Sequence, residues 1–146
     1  MKRSNQEKFP IASVKIPTDT PLDRAPGVKI LLVDDHKDTR VSIKRLLEIA
    51  GHKVLPPSSA REALELASRD KFDLVVSDLE LPDLNGHELM TALRSRHGLK
   101  GIALSGYGMT GDVERSRQAG FRDHLTKPVS FTQLKELIDK FLYRKK

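Results

Sequence analysis

Apolar and polar positions follow two rhythms along this chain: short apolar runs, and longer stretches with an apolar stripe every three to four residues. Residues 28–33, 52–55, 73–77, 101–104 and 121–126 are the short runs, and they read as strands. The stretch 38–50 carries Ile43, Leu46, Leu47 and Ala50 on one helical face and closes on Gly51, placed as a C′ glycine. Ser59, followed three residues later by Glu62, is a capping box for a helix that buries Ala60, Ala63, Leu64 and Ala67. A helix over about 86–96 turns Leu89, Ala92 and Leu93 inward. The next, about 110–119, has only Val113 and Ala119 as main apolar residues, and such a weakly held helix should shift easily. Ser130 and Gln133 make a second capping box ahead of Leu134, Leu137, Ile138 and Phe141.

Five strands alternating with five helices predict an α/β fold, a parallel sheet with helices on both faces. Right-handed crossovers leave few topologies. The flavodoxin-like, doubly wound order 2-1-3-4-5 fits, with the first and last helices on one face and the middle three on the other. The second strand should be an edge, because Pro56-Pro57 stops it. Residues 1–27 contain Pro10, Pro17, Pro21 and Pro26 and show no apolar period, which predicts a flexible tail or linker before one domain over 28–146.

Composition narrows the function classes. No apolar run reaches the roughly 18 residues of a membrane span, and no secretory signal follows Met1, so a cytoplasmic protein with no membrane partner is expected. The absence of cysteine excludes disulfides and thiolate metal sites. The net charge of +6 raises nucleic acid or anionic lipid as partners, yet the basic residues are interspersed with acids. Their one local cluster is Arg144-Lys145-Lys146, so a solvated surface is the simpler reading.

The candidate chemistry lies where strands end. Asp34 and Asp35 follow the first strand, Asp78 the third, Ser105 the fourth and Lys127 the fifth. In the order 2-1-3-4-5 these four strands are neighbours, and all their carboxyl ends share the edge where such sheets bind ligands. A lone strand-end aspartate often only caps the following turn. Three close carboxylates repel, however, and one lysine balances them only partly. A hard divalent cation, Mg²⁺, relieves that repulsion. A cation, a lysine and a hydroxyl together suit a phosphoryl group, and a carboxylate among them can attack phosphorus.

Four segments, Leu-Leu-Val-Asp34-Asp35, Val-Val-Ser-Asp78-Leu-Glu-Leu-Pro82-Asp-Leu-Asn-Gly86, Ala-Leu-Ser105-Gly106-Tyr and His124-Leu-Thr-Lys127-Pro128, resemble the receiver domain of two-component response regulators. The resemblance covers about residues 28 to 143. It implies that Asp78 is the phosphoacceptor. It implies Mg²⁺ bound by Asp35 directly, by Asp34 mainly through water, by Asp78 and by the backbone carbonyl of Glu80. Lys127 would pair with the phosphoryl oxygens, Ser105 would donate a hydrogen bond to one of them, and the Lys127-Pro128 bond would be cis. His124 stands where the family has a switch aromatic; the competing reading is a strand residue facing solvent. Tyr107 and Glu80 would influence how long the phosphoryl group lasts. His36 reads as a loop residue rather than a ligand, and His52, His87 and His97 take no role.

The resemblance also implies partners: a histidine kinase or histidine phosphotransfer protein, and a downstream protein target. The face near 107–125 could bind that target or pair with itself as a homodimer. Such a module assists its own phosphorylation and dephosphorylation and is not a turnover enzyme. No DNA-binding motif follows the last helix. Met1 suits a free-standing regulator, while the proline-spaced start and the His124-to-Pro128 ending resemble the terminal receiver of a hybrid kinase. Asp78-Leu79-Glu80 also has a likeness to haloacid-dehalogenase-type phosphohydrolases, but here the acidic pair precedes the nucleophile and no cap domain is present.

Overall fold

The computed structural model describes residues 27–106 and 113–145. The expected tail, Tyr107 and the start of the helix expected from about 110 lie outside them. Five strands and five helices alternate: β1 Lys29–Val33, α1 Lys37–Ile49, β2 Lys53–Leu55, α2 Ala60–Arg69, β3 Leu74–Asp78, α3 Gly86–His97, β4 Gly101–Ser105, α4 Val113–Ala119, β5 Phe121–Thr126 and α5 Phe131–Lys145. The sheet runs β2-β1-β3-β4-β5, parallel throughout, which is the doubly wound order expected. Gly27–Ile138 form one compact unit, and the end of α5 falls outside it.

Strand side chains alternate between faces. Leu31, Val33, Val75, Ala103 and Phe121 point into a core with Ala63 and Ala67 of α2, Leu89, Met90 and Leu93 of α3 and Ala119 of α4. The intervening residues Ile30, Leu32, Leu74, Val76, Ile102 and Leu104 are equally buried. Along α1 and the first turns of α5, Ile43, Leu47, Leu134 and Ile138 are buried. β1, β3 and β4 are therefore covered on both sides, as their near-continuous apolar sequences require.

Three expectations shift. Val113 is 52% exposed, and α4 instead buries Ser116 and Ala119. Leu46 is also exposed, so α1 is held mainly by Ile43 and Leu47. β3 extends one residue further than expected, making Asp78 its last residue.

Caps follow the sequence. Ser59 accepts the Glu62 N–H, Asn85 the Glu88 N–H and Ser130 the Gln133 N–H. The Glu62 side chain reaches back to Ser58 N–H. A further cap comes from far along the chain: Asp83, in the loop after β3, accepts the Ala60 N–H at 3.0 Å and the Arg61 N–H at 2.9 Å. The Arg61 N–H, with that of Ala60, holds the Asp83 carboxyl below its ordinary 3.8 against a smaller opposing effect of burial. A carboxyl lowered on folding stabilises above its unfolded value and loses that effect as pH falls through its folded value. Asp83→Ala should therefore lower stability by about 1 kcal/mol at pH 7. In urea titrations down a pH series, the gap between variant and wild type should close below pH 3.8.

Candidate functional site

The carboxyl ends of β1, β3, β4 and β5 bring the expected residues together. Asp34 is fully buried and the Asp78 side chain nearly so, while Asp35 is partly exposed. Lys127 leaves β5 with its N–H on the Ser105 carbonyl at 2.8 Å. Its Nζ lies 2.9 Å from Asp78 Oδ2, a hydrogen bond, and 3.0 Å from Asp34 Oδ2. Burial works against the Lys127 charge, but the Asp78 hydrogen bond and the Asp34 pairing outweigh it and raise its pKa above the ordinary 10.5. The other Asp78 oxygen, Oδ1, accepts the Glu80 N–H at 3.0 Å. The Lys127-Pro128 bond is cis.

Glycine makes the Asp78 end of the site compact. A Cβ on Gly86, the first residue of α3, would lie 2.5 Å from the Asp78 carbonyl oxygen and 2.7 Å from Leu79 Cα. The Gly86 N–H donates to the Leu79 carbonyl at 2.8 Å. α3 can thus start against the strand end only because residue 86 lacks a side chain.

Ser105 and His124 meet through a register shift. The β4–β5 pairing steps from Gly101↔Phe121 to Ile102↔Asp123, leaving Arg122 as an extra residue. That bulge puts His124 opposite Ala103 rather than Leu104, and so on the face of Ser105. His124 Nε2 lies 2.7 Å from Ser105 Oγ. His124 Nδ1 is buried with no hydrogen-bond partner among the described residues. A buried N–H without an acceptor is rarer than an unused acceptor, so this environment favours the proton on Nε2. His124 then donates to Ser105 Oγ and leaves the Ser105 hydroxyl proton for another acceptor. The solvent-facing reading of this histidine does not hold.

Two other histidines are better placed than their sequence context suggests. His36 is the N-cap residue of α1 but makes no side-chain cap. Its ring points into the acidic cluster, with Nδ1 3.1 Å from Asp34 Oδ1. His87 is buried, 3.0 Å from Ser116 Oγ and edge-on to Phe121, joining α3 to α4. Neither contact has a signal in sequence spacing.

One donor atom each from Asp34, Asp35, His36 and Asp78 lies within 4.8 Å of all the others. Among the described residues the one charged partner of buried Asp34 Oδ2 is Lys127 Nζ, which leaves it a second lone pair. Carboxylates gathered this closely, one with spare acceptor capacity, fit a divalent cation.

The family model for the response regulator receiver domain matches residues 30–139. The chain belongs to this family. Receivers are signalling modules of two-component systems, and the strand order is that of this fold. An uncharacterized 14.6 kDa protein of Leptolyngbya boryana is 37% identical over 77% of this chain and 88% of its own length. The sensor histidine kinase GacS of Pseudomonas protegens is 35% identical over 86% of this chain, which spans only 14% of that kinase. The crystal structure of a CheY-like receiver from Methanospirillum hungatei superimposes with a TM-score of 0.74 at 34% identity, covering 81% of this chain and 95% of that one. The receiver thus spans most of a small relative and a minor part of a large kinase. Among the described residues no helix is long and apolar enough to cross a membrane.

Two outcomes follow from this geometry. Gly86→Ala should cost about 1–3 kcal/mol through overpacking. In amide NMR spectra its largest shifts should fall at Asp78, Leu79 and Glu80. A lysine raised on folding stabilises fully below its unfolded value and loses that effect as pH rises through its folded value. The stability gap between wild type and Lys127→Met should therefore hold from pH 7 to about 10 and close only above 10.5, as read by urea titration.

Proposed function

We propose that this receiver takes a phosphoryl group from a phosphohistidine of a kinase or phosphotransfer partner onto Asp78. The observation that carries this is Lys127 Nζ bridging Asp78 Oδ2 and Asp34 Oδ2 at the sheet edge. A carboxylate oxygen of Asp78 attacks phosphorus, the new P–O bond forms, and the P–N bond breaks with its electron pair left on the partner imidazole. Glu80 N–H on Asp78 Oδ1 fixes the carboxylate plane. Lys127 exchanges its carboxylate contact for the incoming phosphoryl oxygens. Ser105 turns its free proton to one of those oxygens, and His124 follows the hydroxyl.

Asp34, Asp35, Asp78 and the Glu80 carbonyl would hold Mg²⁺. When bound, the cation supplies positive charge against the repulsion between carboxylate and phosphoryl oxygens. The module assists its own phosphorylation and dephosphorylation without turning over a metabolite.

α1 starts beside Asp35 and exposes Val41, Leu46 and Ile49, an apolar stripe suited to the partner that brings the phosphoryl group. The output face is the one around 107–125, toward a protein target or a second copy; its described part exposes Val113. The domain over 28–146 works in the cytoplasm, with 1–27 as a tether. Both a free-standing regulator and a hybrid-kinase receiver suit it.

Intact-mass analysis after incubation with acetyl phosphate tests the assignment. The wild type should gain one phosphoryl group only when Mg²⁺ is present, and Asp78→Asn none. Labelling that survives in Asp78→Asn would refute Asp78 as acceptor, and steady phosphate release from small phosphomonoesters would favour a phosphohydrolase. Lys127→Ala should still be labelled, but its Ser105 and His124 NMR signals should no longer shift on phosphorylation. A full wild-type shift would remove Lys127 from the response.

A further inference from the structure

His36 reads from sequence as a loop residue, yet its ring belongs to the acidic cluster. Nδ1 is 3.1 Å from Asp34 Oδ1, 3.3 Å from Asp35 Oδ1 and 3.9 Å from Asp78 Oδ2. Donors cis to one another on a six-coordinate ion with bonds of about 2.1 Å stand about 3.0 Å apart, and trans donors about 4.2 Å. The first two separations are close to the cis edge and the third approaches the trans diagonal. A second observation does not involve the ring. Asp34 Oδ2 is fully buried and has one charged partner among the described residues, Lys127 Nζ at 3.0 Å, which occupies one of its two lone pairs. One lone pair of that buried oxygen is therefore left for a further cation, as is the nitrogen at the mouth of the cluster. The His36 side chain is 66% exposed, so Nε2 can carry the ring proton while Nδ1 presents its lone pair.

Building on the receiver reading above, we propose that His36 Nδ1 is itself a ligand of the divalent cation, beside Asp34 and Asp35. Its nitrogen biases the site from Mg²⁺ toward first-row transition ions such as Mn²⁺ and Ni²⁺. Mg²⁺ prefers oxygen donors and keeps its waters, whereas imidazole suits the transition ions. A site of carboxylates alone already ranks Ni²⁺ above Mg²⁺. The share due to His36 is the part of that preference lost with the ring.

The test uses the untagged full chain and its His36→Ala variant, titrated by calorimetry with Mg²⁺, Mn²⁺ and Ni²⁺. The variant should lose tenfold or more in Ni²⁺ affinity and several-fold in Mn²⁺ affinity, with Mg²⁺ changed by less than twofold. Electron spin-echo spectra of the Mn²⁺-loaded wild type should carry modulation from a directly bound nitrogen, absent in His36→Ala. Equal losses for all three ions, no loss for any, or nitrogen modulation that survives in the variant would overturn the proposal. Acetyl phosphate labelling of the wild type with Mg²⁺, run alongside, separates the two readings. Labelling of Asp78 with no effect of His36→Ala on Ni²⁺ affinity would remove His36 alone. No labelling, with the nitrogen signal present, would remove the phosphoacceptor role and keep the ligand.

Discussion

One ammonium stands between two buried carboxylates, and the carboxyl edge of the sheet depends on it. Asp34 and Asp78 come from neighbouring strands, so parallel pairing forces their charges together. Burying such charges is costly unless they are paired. Lys127 meets both, and its position is fixed by the sheet rather than by a loop, because its N–H is bonded to the last residue of β4. β5 thus leaves the sheet where its lysine reaches the ends of both β1 and β3. The same lysine holds the two carboxylates close together at the sheet edge.

The loop after β3 is held from both ends. Gly86 N–H binds the Leu79 carbonyl, and Asp83 caps α2 across the core face. Nearby, the bulge at Arg122 turns His124 toward Ser105, so the hydroxyl and imidazole that flank the site belong to adjacent strands in direct contact. Asp34, Asp78, Ser105 and Lys127 are therefore carried by strand ends, and Glu80 by a loop pinned to one, which is how a site holds its geometry.

Much of this was legible in the sequence, for a definite reason. Asp34, Asp78, Ser105 and Lys127 each interrupt an apolar run at its carboxyl end, and a parallel sheet turns that one-dimensional fact into spatial neighbourhood. What was not legible depends on direction or on partners distant in sequence. His36 follows the acidic pair and could equally have capped α1 or faced water; only its side-chain direction puts it in the cluster. His124 changes face because of a one-residue bulge that no local pattern announces. His87 needs Ser116, a residue of another helix. Asp83 looked like part of a turn, but its acceptors' partners lie 22 and 23 residues earlier. In α4 the expected Ala119 is buried, but the polar Ser116 rather than the apolar Val113 joins it, because Ser116 meets His87 of α3.

Burial is unevenly distributed across the sheet. Every residue of β3 and β4 is buried, but β5 buries only Phe121 and Leu125, and α4, among the described residues, only Ser116 and Ala119. Moving a two-state equilibrium from about 1:99 to 99:1 takes about 5.5 kcal/mol of differential interaction. If the proposed phosphorylation of Asp78 shifts the domain, a difference of that size has to be accommodated where little is buried, not in β1, β3 and β4, which are covered on both faces. The described margin with the fewest buried side chains is accordingly β5 with α4, the part of the sheet where a change at its carboxyl edge would disturb the least packing.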